Sequence, residues 1–209
     1  MVAYKKRVSP QLPHITPQEH LERERKAETK SEYYAGVIVA MTGASWEHNL
    51  ITSNIQGELH SQLRGMPCAV VTSDLRVEVR ECHAYFYPDV VAVYGEPEFA
   101  DAELDTLLNP TLIVEVLSES TEAMDRGKKW TCYQSLKSLQ TYVLVSQDRP
   151  YVEAYRRQAD DWRYSTVEGL GNSLSLEAIG CTLKLADIYD RVEFPQGEAA
   201  NEADSAPNS

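Results

Sequence analysis

Thr111-Leu112-Ile113-Val114-Glu115-Val116-Leu117 is an apolar run with one acid near its middle, and Tyr85-Phe86-Tyr87-Pro88-Asp89-Val90-Val91-Ala92-Val93 upstream has the same character. Near-continuous runs of this kind are what central strands require when both faces are covered. Side chains alternate along a strand, so Ile113, Glu115 and Leu117 share one face while Leu112, Val114 and Val116 take the other. Asp89 falls in the row of Tyr87 and Val91. Each strand therefore carries one carboxylate in an apolar row. An ionised group buried without a partner shifts its pKa and goes neutral, and two that converge repel unless a cation lies between them. Hard-oxygen pairs of this kind suit Mg²⁺, which keeps several waters. Taken singly, Asp89 after Pro88 also fits a turn, and Glu115 also fits a buried pair with a base.

The segment after Glu115 adds a cation. A helix is expected from Thr121 to Leu136, on which Asp125 and Lys129 are four apart and share a face. Cys132, Tyr133 and Leu136 continue that face toward the core. Lys129 is then half-buried, while Lys128 points to a more exposed side and is its competitor. A surface Asp–Lys pair is the plainer reading of the same spacing.

Working outward, Thr16 with Pro17 and Glu19 has the spacing of a capped helix start, with a charged body to Lys30 anchored by Leu21 and Ala27. Tyr33 to Met41 reads as a hairpin turning at Gly36. Ser45 caps a second helix reaching Leu63, with Ile51, Ile55, Leu59 and Leu63 as its apolar stripe; Gly65 and Pro67 end it. Strands are expected at Cys68–Thr72, Leu75–Val79, Thr141–Ser146, Tyr151–Arg156, Trp162–Val167 and Cys181–Leu185, with a turn at Asp160-Asp161. The acidic connection 95–110 reads as an exposed loop with a short helix. The class is α/β: a central mixed sheet flanked by helices, with a β-rich C-terminal extension. Residues 1–16 are expected to form a flexible arm, 17–195 one domain, and 196–209 a disordered acidic tail.

Composition agrees with one domain: 209 residues, 43% apolar and 25% charged. No apolar run reaches the roughly 18–20 residues of a membrane span, and no apolar stretch follows Lys5, Lys6 and Arg7 as a signal peptide would need. The four cysteines, Cys68, Cys82, Cys132 and Cys181, sit singly, which disfavours a thiolate zinc site or a dense disulfide framework and fits the cytoplasm. The net charge is −12, and the termini do not supply it: the first 16 residues carry +3 and the last 14 carry −3. That balance argues against a protein that coats DNA non-specifically. It leaves open an enzyme that meets DNA through one basic face or a bound divalent ion.

Pro88-Asp89, Glu115-Val116-Leu117-Ser118 and Asp125-Arg126-Gly127-Lys128-Lys129 followed by Tyr133 resemble the putative restriction endonuclease family, bacterial proteins with the PD-(D/E)XK nuclease fold. Tyr33–Gly36, Gly43–His48, Cys68–Val77, Asn109–Thr121 and Tyr142–Asp148 resemble further blocks of that family, so the likeness covers roughly residues 17–192. The resemblance implies a restriction-endonuclease-like fold, a Mg²⁺-dependent endonuclease acting on DNA phosphodiesters (Mn²⁺ can substitute), and a homodimer. It implies that Asp89, Glu115 and the Val116 carbonyl bind the metal. The in-strand lysine of the parent pattern is here Leu117, and the resemblance implies that Lys129 takes its place. Lys129→Ala is then expected to abolish cleavage with the fold intact. His48, near a helix N-terminus, is a candidate phosphate contact or a structural histidine. Glu32 and Asp74 are candidate extra acids or plain turn residues. Arg76, Arg80, Arg126, Lys128, Lys137 and Arg149 are candidates for a basic rim. Two other classes remain: a non-catalytic module that keeps the nuclease fold, and a metal-dependent hydrolase of smaller phosphoesters.

Overall fold

The computed structural model describes residues 15–194; the expected acidic tail, and the expected arm apart from Ile15 and Thr16, lie outside them. At its centre is a six-stranded mixed sheet in the order β11 (Asp161–Glu168), β10 (Tyr151–Gln158), β9 (Thr141–Val145), β8 (Leu112–Val116), β6 (Val90–Tyr94), β3 (Cys68–Thr72). Strand β8 pairs antiparallel with β6 and parallel with β9, and all five of its residues are buried. A parallel pair needs a crossover. Here it is a helical rod made of α3 (Glu122–Met124), a π-helical turn (Asp125–Lys129) and α4 (Trp130–Tyr133).

One face of the central sheet, with Val90, Ala92, Leu112, Val114 and Val116, packs on α2 (Trp46–Leu63) through Ile51, Ile55, Leu59 and Leu63. Ser45 caps α2, its Oγ accepting from the His48 N–H at 3.1 Å. The hairpin β12 (Ser173–Leu176) and β13 (Cys181–Lys184) and the turn of helix α5 (Leu185–Ile188) complete this layer. The opposite face, with Val91, Val93, Ile113 and Leu144, meets α4 and a second sheet. That sheet has five strands in the order β2 (Val37–Ala40), β1 (Ser31–Tyr34), β5 (Ala84–Phe86), β4 (Arg76–Val79), β7 (Thr106–Leu107). The β1–β2 turn uses Ala35 and Gly36 at φ 46° and 92°, the left-handed pair that a two-residue hairpin requires.

The architecture is the expected one, and the differences are local. Tyr85–Val93 is two strands, not one. Pro88 has no N–H to give to a ladder, and the Tyr87 N–H donates instead to Glu32 at 3.1 Å. The chain therefore leaves the second sheet after Phe86 and joins the central sheet at Val90, with Asp89 at the corner. Helix α1 (Pro17–Glu24) has the expected Thr16–Glu19 capping box but ends before Lys30; it buries His20, Leu21 and Glu24. A short helix depends on packing, and the charged residues beyond Glu24 offer little to pack. The 95–110 connection contains no helix. It contains β7, parallel to β4, and it is pinned by Arg25 to Asp101 and Asp105, at 2.8 and 2.9 Å. Cys82 and Cys132 form a disulfide, a pairing that their spacing did not suggest. Among the described residues, no helix is long and apolar enough to cross a membrane.

Candidate active site

The β6–β8 register, Val90 opposite Val114, continues by one step to bring Asp89 beside Glu115 on the face toward the second sheet. Asp89 Oδ2 accepts the Val116 backbone N–H at 2.7 Å, and Oδ1 lies 2.9 Å from His48 Nε2. The histidine arrives from the first turn of α2, around the end of the sheet. Glu115 is almost fully enclosed, at 3% exposure. Its Oε1 accepts from Lys129 Nζ and from the Tyr133 hydroxyl, both at 3.2 Å.

Lys129 is 4% exposed and faces two further carboxylates. Glu32 Oε1, from β1, is 2.9 Å from Nζ. Asp125 Oδ1 is 3.1 Å away, a charge contact without hydrogen-bond geometry. The segment that carries Lys129 is a π turn. Asp125, Lys129, Cys132 and Tyr133 all face inward, as their helical spacing predicts, and π turns recur at functional sites. Lys128 points outward, its ammonium 5.3 Å over the Tyr34 ring. The choice between the two lysines therefore falls on Lys129 as the one beside the carboxylates.

Burial, the largest influence, raises the Glu115 pKa well above the ordinary carboxylate range; Lys129 opposes it, and Asp125, Asp89 and Glu32 add to it. Burial alone would lower Lys129, but Glu115, Glu32 and Asp125 together hold it well above the ordinary lysine range. Burial likewise keeps Tyr133 protonated to high pH, so it remains a donor.

Among the described residues, no three His, Cys, Asp or Glu side chains form a ready-made metal cage. Mg²⁺ does not need one, because one or two carboxylates with waters or a carbonyl are its usual set. Asp89, Glu115 and the Val116 carbonyl are such a set. Asp89 keeps a lone pair on each oxygen beyond these bonds, and Glu115, whose Oε1 already accepts two, keeps both lone pairs of Oε2. Three carboxylates surround a single lysine, and Asp89 adds a fourth beside Glu115, an excess of acidic groups that a divalent ion would offset. The donor chemistry fits the ion.

The other candidates divide. Glu32, Asp125 and His48 join the cluster. Asp74 does not: its side chain is 88% exposed and pairs with Lys30 at 2.6 Å. The basic rim is not a set of free charges. Arg76 is buried against Asp105, Tyr87 and Thr106. Arg80 pairs with Glu78 at 3.4 Å, Arg126 with Glu122 and Glu153 at 2.7 and 2.6 Å, and Arg149 with Glu168 at 3.0 Å. A groove of about 1320 Å³ opens beyond the ends of β8 and β9, bordered by Ser45, Leu117, Ser118, Arg126 and Gln147. It flanks the carboxylates without including them. The Tyr133–Glu115 bond was not anticipated, although Tyr133 lies four residues beyond Lys129.

A sequence profile of the family described as putative restriction endonuclease matches residues 17–186. Two relatives come from Synechocystis. Uncharacterized protein sll1609 is 35% identical over 163 residues, spanning 78% of this chain and 92% of its own length. Uncharacterized protein slr1290 is 33% identical over 184 residues, spanning 88% and 95%. The crystal structure of a putative nuclease belonging to DUF820 from Anabaena variabilis matches with a TM-score of 0.68 at 19% identity, covering 84% of this chain and 97% of that one. At that identity the match shows a shared fold.

Proposed function

The chain belongs to the putative restriction endonuclease family, and from that premise we propose that it is a Mg²⁺-dependent endonuclease that hydrolyses DNA phosphodiester bonds. The observation that carries this reading is that Asp89, at the entry to β6, stands in register beside Glu115 of β8, whose carboxylate lies 3.2 Å from the Lys129 ammonium. Asp89, Glu115 and the Val116 carbonyl would hold Mg²⁺, with Mn²⁺ able to replace it. A bound Mg²⁺ supplies Lewis acidity, making a water more acidic and offsetting charge on the phosphate.

The protein's own groups do the rest. Glu115, held above the usual carboxylate range, must release its proton before it accepts a cation. Lys129 keeps its charge and, in the reaction, orients the attacking water or meets charge building on the phosphate. Leu117 cannot do this from the strand. Tyr133 and Glu32 fix the Glu115–Lys129 pair, and His48 fixes Asp89. The working unit in this reading is a homodimer, since cutting two strands takes two such sites.

The test is cleavage of supercoiled plasmid with Mg²⁺, with Mn²⁺, and with chelator, alongside Mn²⁺ binding read by electron paramagnetic resonance. Asp89→Asn and Glu115→Gln are each expected to lose both cleavage and ion binding. A parent protein that neither binds Mn²⁺ nor cuts DNA would instead be a non-catalytic module. Turnover of small phosphoesters without DNA cleavage would move the substrate class.

A further inference from the structure

Strand β2 forms one edge of the five-stranded sheet and pairs on one side only, with β1, from Ser31 opposite Ala40 to Tyr34 opposite Val37. All four residues are exposed, Val37 by 48%, Ile38 by 38% and Val39 by 40%. Alternate side chains point to opposite faces, so the strand is apolar and uncovered on both. Among the described residues, nothing pairs with its outer backbone. Natural edge strands are guarded by a charge, a proline, a bulge or a covering element, and among the described residues β2 has none of these. No Lys, Arg, Asp or Glu occurs between Glu32 and Glu47, in a chain whose net charge is −12. The other edges of the two larger sheets are guarded. Strand β11 carries Asp161, Arg163 and Glu168; β7 is two buried residues; β3 packs along α2.

We infer that β2 is the docking edge for a second copy of this chain. The two β2 strands pair antiparallel about a two-fold axis and join the two five-stranded sheets into one. An unpaired backbone edge accepts a strand. A two-fold contact sets a surface against itself, so it forms most readily where that surface carries no charge. For two copies that each carry −12, β2 is where they meet without opposing carboxylates. DNA is a poor occupant, because the strand offers no base to neutralise a phosphate. A strand of four residues supplies less than the about 800 Å² per partner of a standard interface. The dimer is therefore concentration-dependent, with Kd in the micromolar range.

The edge lies one strand from the pocket: Val39 is opposite Glu32, which holds Lys129 at 2.9 Å. This deepens the homodimer of the proposed function, yet it rests on the strand and not on nuclease activity. Sedimentation velocity of the full chain, from low to several hundred micromolar, is expected to show monomer passing to dimer. Val37→Lys/Ala40→Lys places like charges across the paired strands and is expected to weaken the dimer at least tenfold, with an unchanged circular dichroism spectrum. Should the lysines disturb the hairpin, Val37→Thr/Ile38→Thr keeps the β-branched shape and is expected to weaken the dimer by a smaller factor. Hydrogen exchange locates the contact: β2 amides should gain protection with concentration in the parent and lose that gain in either variant. A parent that stays monomeric, or a dimer indifferent to both variants, overturns the inference. So do β2 amides that are protected in the monomer and freed by deleting residues 1–14, which would make the chain's own N-terminal segment the occupant. Plasmid cleavage is scored separately, so a monomer that still cuts DNA removes the dimer and keeps the site.

Discussion

Glu32, Glu115 and Asp125 lie at 2.9, 3.2 and 3.1 Å from the Lys129 ammonium, all of them deeply buried. On a surface such pairs contribute little; here, removing the cation leaves three carboxylates without compensation. The sequence suggested that Lys129→Ala would spare the fold, and the cluster argues otherwise. Lys129→Met is expected to lose cleavage and to cost roughly 3–5 kcal/mol of stability. Adding Glu115→Gln removes a carboxyl group that could ionise there, so at pH values where Glu115 would lose its proton the double variant should regain part of that stability and none of the activity. Urea unfolding of the four proteins measures this, and simple additivity would mean that the two residues are not coupled. Glu115 also sets a pH dependence. Its folded pKa is raised, mainly by burial, so its stabilising contribution is complete below the ordinary carboxylate range and is lost as pH rises through the folded value. Glu115→Gln cannot ionise, so its Tm relative to the parent should climb as pH rises above the ordinary carboxylate range. A flat or falling difference would show that Lys129, not burial, governs the group. Lys129, also raised, keeps its contribution through neutral pH and loses it only above the ordinary lysine range.

Cys82, at the end of the turn Arg80–Cys82, is bonded to Cys132 of α4 across a separation of 50 residues. The bond ties the second sheet to the rod that carries Lys129. Closing a loop of that length removes roughly 4 kcal/mol of unfolded-state entropy in the chain-entropy view, and about 2–4 kcal/mol is commonly realised. Reductant should therefore lower the Tm of the parent and leave Cys82→Ala/Cys132→Ala, already lower, unmoved. An equal fall in both proteins would dismiss the bond. Elements of this size were unevenly legible in the sequence. The stripe Ile51, Ile55, Leu59 and Leu63, the Ser45 and Thr16 caps and the apolar run of β8 are one-dimensional patterns, and they read correctly. Asp89 and Glu115 stood out because a charge within an apolar row needs a reason, whereas the preference for Lys129 over Lys128 rests on the family resemblance. The break at Pro88 did not stand out, because the same apolar composition continues through both sheets; what moves the chain is the Tyr87 N–H reaching Glu32, 55 residues away. A π turn changes register without changing composition. The Lys129–Glu32 contact and the disulfide depend on how the sheets stack, and Asp74 and the arginine rim misled because a sequence shows a charge but not its partner.

At the scale of the whole molecule the difficulty for a nuclease is its own charge. The chain carries −12, and of the bases once considered for a rim, Arg76, Arg80, Arg126 and Arg149 are already paired with acids. Among the described residues, Lys128 and Lys137 of that group form no ion pair, and Lys128 stands next to the site lysine, outside the pocket. Each phosphate that a base neutralises releases counterions and steepens the salt dependence of binding by about 0.9 in log Kd per log salt. A subunit with two or three such contacts should show a slope of about 2 to 3, against roughly 5 to 9 for a protein that makes six to ten. Fluorescence anisotropy with duplex DNA, with Ca²⁺ in place of Mg²⁺ to withhold cleavage, gives the slope directly. Lys128→Ala is expected to reduce it by about 1 and to weaken binding to all sequences alike, without touching the carboxylates. Binding should also depend on the divalent ion more than on any single base, because the ion is what turns a pocket of four carboxylates into a place a phosphate can approach. A steep slope that survives chelation would mean that DNA meets a basic face elsewhere on the protein, and the Asp89–Glu115 pocket would no longer be where the strand is held.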